Sequence, residues 1–181
     1  MMRIRSLALV IAASGALALL GCRDDRQAAA PAPIEPTAAS IAHFCNMAVL
    51  DHPGPKGQIF IKGRAEPVWF ASVRDTVAFT LLPEEPKDVA AIYVNDMAKA
   101  KDWQHPEAGS WIDARAAWYV LDSDHASGMS EKELVPFSSD AAAWDFAAAH
   151  GGKIVRLGEV PESYVLEADA EPEQSHDPHA H

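Results

Sequence analysis

The chain has 181 residues, with 15 Lys and Arg against 26 Asp and Glu, 49% hydrophobic residues, two cysteines and a formal charge of −11. That length fits one or two small globular domains, and two cysteines exclude a disulfide-stapled miniprotein. The strong negative charge argues against a nucleic-acid partner, whose phosphates must be neutralised by Lys and Arg.

Residues 1–21 read as a secretory signal. Arg3 and Arg5 precede an apolar run from Leu7 to Leu20, too short to span a bilayer and of the right length for a signal-peptide core. The run closes on Leu19-Leu20-Gly21-Cys22, the pattern of a bacterial lipoprotein signal, in which the Cys is acylated and becomes the mature N-terminus. Arg23 follows Cys22, where an Asp would signal retention in the inner membrane, so the expected location is the outer membrane, facing the periplasm. With Cys22 lipidated, Cys45 is the one remaining thiol of an exported protein, and it is either buried or used.

Residues 22–39 are rich in Ala and Pro without hydrophobic periodicity and are expected to form a flexible tether. Residues 167–181 are acidic and end in His176, His179 and His181, a composition expected to be disordered and able to collect metal ions. Between them, residues 40–166 suffice for one domain with its own core.

An internal repeat organises that domain. Phe70, Ser72 and Phe79 recur 67 positions later as Phe137, Ser139 and Phe146. Each copy reads as a strand running into a helix. In the first copy Val68–Phe70 leads to a helix capped by Ser72, with Asp75 three residues on; in the second, Leu134–Phe137 leads to a helix from Ser139 that ends at Gly151-Gly152. Ala143, Phe146, Ala147 and His150 fall on one face of the second helix. Further strands are predicted before each copy, over 57–62 and 114–121, and after each copy, over 90–95 and 153–158. The fold class is therefore α+β, two tandem ββαβ units forming one domain, with binding expected in the cleft or loop face between them.

The chemistry concentrates in His43-Phe44-Cys45-Asn46-Met47. In an extended segment Cys45 and Met47 would point to the same side, and a thiolate with a thioether selects Cu(I) over hard cations. The alternative is that Cys45 is a core residue and Met47 core filling. Met129, in the polar connection 122–130, is the best remote third donor, and Met97 is a weaker one because it follows a strand. His43, His52 and His125 are possible nitrogen ligands. Asp51-His52-Pro53-Gly54-Pro55-Lys56 has the composition of a rigid turn. No nucleotide-binding loop, nucleophile elbow or zinc-protease motif is present, so no enzyme is indicated.

At these residues the sequence resembles the NosL family. The resemblance rests on the lipobox at Cys22, on Phe44-Cys45-Asn46-Met47 followed by Asp51 to Gln58, on Ile92 to Met97, and on Gly128-Met129 leading to Glu133 to Phe137 and His150-Gly151-Gly152. It implies a monomeric Cu(I) chaperone lipoprotein that supplies copper for the copper centres of nitrous oxide reductase in denitrification. It further implies a domain similar to the core of the organomercurial lyase MerB, Cys45 and Met47 as ligands, and Met129 as a family-pattern position in a mobile loop. A MerB-like thiol enzyme is the competing reading, weakened by the single thiol left after lipidation. An interaction lipoprotein with Cys45 in its core is the third.

Overall fold

The computed structural model describes residues 30–127 and 131–167. The expected signal segment, Cys22, Met129 and the three tail histidines lie outside the described residues.

Among the described residues, seven strands and three α-helices follow in chain order: β1 Gly57–Ile61, β2 Val68–Phe70, α1 Val73–Leu81, β3 Val89–Asn95, β4 Trp111–Asp113, β5 Trp118–Leu121, β6 Val135–Phe137, α2 Asp140–His150, β7 Lys153–Arg156 and α3 Glu162–Leu166. They build two antiparallel sheets, one ordered β2-β1-β3-β4 and the other β6-β5-β7. The order strand, strand, helix, strand thus occurs in each half, and in each sheet the first of those strands lies between the other two.

The helices α1 and α2 each start where a serine can cap them. Ser72 accepts a hydrogen bond from Asp75 N at 3.0 Å, and Ser139 accepts one from Ala142 N at 3.2 Å, satisfying amides that have no partner within the helix. Gly151, at φ 72° and ψ −173°, closes α2 in a positive-φ conformation that glycine adopts without strain.

One core joins the halves. Ile59, Phe70, Val77, Phe79, Ile92 and Val94 of the first half pack in a single cluster with Tyr119, Leu121, Leu134 and Val155 of the second, and Val165 of α3 completes it. Alternation along β5 then places Val120 on the other face of its sheet, where Val135, Phe137 and Ala143 gather with the half-buried Phe146 and Ala147 of α2. At the junction the fully buried Asp96 accepts from Ala98 N at 3.1 Å and Ser138 N at 3.0 Å, while Met97 N donates to Pro136 O at 2.9 Å.

Two expectations are corrected, and two elements are added. The run 114–121 is not one strand: Asp113 accepts from Arg115 N at 2.7 Å through its side chain and from Ala116 N at 3.0 Å through its carbonyl, a turn that separates β5 from β4. β4, a fourth strand on β3, was not anticipated, nor was α3. The last predicted strand stops at Arg156 and gives way to a 3-10 turn over Leu157–Glu159.

Residues 31–36, inside the segment expected to be tether, lie on the outer face of the first sheet. Buried Gln58 exchanges two hydrogen bonds with the backbone of Ile34, at 3.0 and 2.9 Å, and Tyr93 Oη donates to Pro31 O at 2.7 Å. Gly109 N donates to Glu35 at 2.8 Å. This strap explains why the central strand β1 is buried on both faces, and why a glutamine can lie there with its amide satisfied.

At Gly57 α1 approaches β1 so closely that a Cβ there would stand 1.8 Å from Thr76 Oγ1. Gly57→Ala is therefore expected to destabilise the domain by about 1–3 kcal/mol through overpacking. Denaturant unfolding followed by far-UV circular dichroism measures it, and an unchanged midpoint would refute the close packing.

Candidate functional site

The segment expected to be extended is a hairpin instead. Ala42 N donates to Met47 O at 2.8 Å, Asn46 N to Ala42 O at 3.0 Å and Val49 N to Ser40 O at 2.9 Å, so the chain reverses between Ala42 and Met47. Asn46 permits this by taking φ 56°, a left-handed conformation that asparagine tolerates better than most residues. The same-side argument for Cys45 and Met47, which needs an extended segment, therefore does not apply to this turn. The hairpin is fastened to the edge strand β2, with His43 N donating to Trp69 O at 2.8 Å.

Cys45 is a half-buried free thiol that packs on Ala42, Val49, Trp69 and Ala71. Met47 is exposed, and Ile41, Phe44 and Leu50 around it are exposed as well. A 3-10 turn over Val49–Asp51 folds the chain back, so that the buried His52 stands with Nε2 3.7 Å from Cys45 Sγ. Donors held about 2.0–2.3 Å from one first-row ion lie about 3–4.3 Å apart, so the pair is spaced to share an ion. Of the three histidines named as nitrogen donors, His52 is the one placed beside the thiol.

The others are engaged elsewhere. His43 Nε2 lies 2.8 Å from Glu85 and its ring packs edge-on against Phe79. His125 meets Asp124 and His150 beyond Trp103. Met97 packs in the cluster beneath α2. His150, expected on an apolar stripe, directs its imidazole to Asp124 as well as packing on Phe146.

A set of buried titratable groups lies behind the hairpin, and sequence reasoning missed it. Lys56 folds back so that its Nζ donates to Pro53 O at 3.1 Å and to Gly54 O, which ties down the Pro-Gly-Pro turn; burial lowers its pKa to about 8, and Glu133 opposes that shift. Glu133 is buried at the N-terminus of α1. Its Oε1 accepts from Arg74 N at 3.1 Å and Leu134 N at 2.8 Å, and Oε2 has no hydrogen-bond partner among the described residues. Burial pushes its pKa up to about 8 against the pull of those amides. Burial also raises Asp75, with Glu131 adding to the rise and His52 among the groups that lower it. Asp75 thus feels both His52 and the connection to β6. The only sequence signal for this layer was the pair of acids flanking a predicted helix start and strand, which is too common to read.

A small α/β protein with two antiparallel sheets, carrying a thiol beside an imidazole at an exposed hairpin, is the class defined by this arrangement. The sequence profile of NosL matches residues 33–165. The copper-binding lipoprotein NosL of Achromobacter cycloclastes is 40% identical over 166 residues, covering 91% of this chain and 85% of that protein. The copper-binding lipoprotein NosL of Stutzerimonas stutzeri is 30% identical over 177 residues, covering 91% and 90%. The crystal structure of the copper chaperone NosL from Shewanella denitrificans matches with a TM-score of 0.68 and 31% identity, over 73% of this chain and 97% of that one. The chain belongs to the NosL family. None of these names describes an enzyme.

The Glu133 carboxyl has a consequence for stability. Its native pKa lies above the ordinary 4.5, so the folded chain holds a proton that the unfolded chain releases. Its contribution is complete below about pH 4.5 and is lost as pH rises to about 8. Wild type minus Glu133→Gln, compared by unfolding midpoints across that range, should show the loss in wild type and a flatter profile in the variant. Parallel profiles would refute it.

Proposed function

We propose that the chain is a lipid-anchored Cu(I) carrier, held on the outer membrane through Cys22 and facing the periplasm, that delivers copper for the copper centres of nitrous oxide reductase. Membership of the NosL family, and relatives that are copper-binding lipoproteins or copper chaperones, support copper as the cargo. The observation that carries the reading is the Cys45 thiol 3.7 Å from His52 Nε2 on a hairpin beside exposed Met47. Thiolate, thioether and imidazole together favour the soft monovalent ion, since a hard divalent cation gains little from sulfur.

In this reading Cys45 supplies the anionic donor, His52 the nitrogen and Met47 a thioether, with Met129 closing from the facing connection. Support for Met129 is indirect: Ala126 pairs with Lys132, Ser127 N donates to Glu131 O at 2.8 Å, and Glu131 lies 3.4 Å from Arg74 at the start of α1. The flanks of residues 128–130 are therefore fixed near Asp75, which also feels His52. Few ligands at an exposed turn allow release by exchange, in which an acceptor's donor binds before Cys45 lets go. We also read the two halves as tandem ββαβ units similar to the MerB core, and residues 40–166 as the copper-binding domain behind a tether and ahead of a His-rich tail; the element order supports the repeat.

Cys45→Ala should abolish high-affinity Cu(I) binding, because it removes the anionic donor. Met47→Ala and His52→Ala should each weaken binding less, and Met129→Ala should mainly speed loss of copper to a chelator. Anaerobic competition against a Cu(I)-specific chelator gives the order, and a Cys45→Ala protein that binds as tightly as the parent would overturn the thiolate-centred site.

A further inference from the structure

A cleft of about 360 Å3 opens to solvent beside His52, between the strap, the 3-10 turn after the hairpin and the edge strand β4. That is the small end of the range for ligand sites, about 300–1,000 Å3. Pro36, Leu50, Pro106 and the indole of Trp111 give it apolar walls, and the buried Lys56 and His52 line it between them.

Other polar groups of the cleft are already spent. Asn95 accepts from Lys56 N at 2.8 Å and donates to Ser110 Oγ at 2.9 Å, and Glu35 accepts from Gly109 N at 2.8 Å. Two donors are not. Lys56 Nζ carries three protons and gives two, to Pro53 O and Gly54 O, and no carboxylate pairs with it among the described residues. Glu133, the acid whose charge bears on Lys56, is itself pushed up to about 8 by burial and so keeps its proton at neutral pH, where Lys56, lowered to about 8, is still mainly cationic. His52 stands with Nε2 toward the Cys45 thiol, and its Nδ1 has no hydrogen-bond partner among the described residues. A buried ammonium without a counter-charge and an imidazole N–H without an acceptor both call for an anionic oxygen.

We infer that the cleft binds the carboxylate of a short aliphatic acid, acetate or propionate in size, between the Lys56 ammonium and His52 Nδ1. The apolar walls cover a short alkyl chain, which a mineral anion lacks, and the Glu35 charge at the rim weighs against a dianion such as phosphate. Where His52 ligates copper, and this part rests on the copper reading above, the carboxylate also fixes the ring, since a ligating imidazole holds its orientation and tautomer by donating its other N–H to an oxygen. Cargo affinity then depends on a small anion held behind the site.

The test is a titration of the metal-free mature chain, labelled with 15N at tryptophan, with sodium propionate against sodium chloride at equal ionic strength and neutral pH. The Trp111 indole signal, assigned by its loss in Trp111→Phe, should move saturably with a Kd of about 1 mM, while chloride leaves it in place and phosphate binds far more weakly. Lys56→Met and Leu50→Glu should each weaken propionate by about tenfold, one by removing the cation and the other by adding a like charge to the wall. Leu50 is exposed, so Leu50→Glu keeps the test valid if Lys56→Met fails to fold. In the parent, saturating propionate should tighten Cu(I) about tenfold in anaerobic chelator competition, and in Leu50→Glu it should not. No saturable shift, an equal shift with chloride, phosphate binding as tightly as propionate, or unchanged affinity in Leu50→Glu would each overturn the assignment. Propionate that binds and leaves Cu(I) affinity unchanged would overturn the His52 contact. Failure of the copper reading shows separately, as Cu(I) binding that survives Cys45→Ala.

Discussion

A carboxyl group taken out of water and set against the first turn of α1 is the constraint around which this domain is arranged. Glu133 accepts amides from two distant parts of the chain, Arg74 at the start of the helix and Leu134 at the start of β6. A buried carboxyl left without partners costs about 1–3 kcal/mol, and the N–H groups that satisfy Glu133 Oε1 fix the loop before β6 to the helix behind the hairpin. Lys56, also desolvated, reaches from the other direction to hold the turn after His52. Those ties place the His52 turn and the flanks of residues 128–130 around one helix end.

Much of the architecture was legible because it depends on local chemistry. Ser72 and Ser139 cap the helices, the paired glycines end α2, and alternation along β1 and β5 distributes side chains to two faces. The failures share a cause. An Asx turn at Asp113 interrupts an apolar run that looks continuous, and β4 exists because β3 offers it a partner. Neither is a property of the segment alone, since turn chemistry and sheet pairing override propensity.

The site was legible in composition and obscure in geometry. Cys45 and Met47 were readable as soft donors, yet the hairpin turns on Asn46, whose positive φ no spacing rule reports. His52 stood among three equivalent histidines until the 3-10 turn singled it out. His43 and His125 were equally plausible and proved to be held by carboxylates, Glu85 and Asp124. Burial and partner, which decide what a histidine does, are tertiary facts.

The strap on the outer face of the first sheet sets how far the domain can travel. Clamped at Pro31 and Ile34, it leaves a short leash after Cys22. Eight residues, 23–30, precede the clamp, and even at full extension they reach no more than about 30 Å. A lipid on Cys22 would then confine the domain to a thin shell above the bilayer instead of the full depth of the periplasm. Within that shell two partners on the same surface meet at a raised effective concentration, while one beyond it is never met. Loosening Gln58 from Ile34 would lengthen the leash without touching a single donor atom.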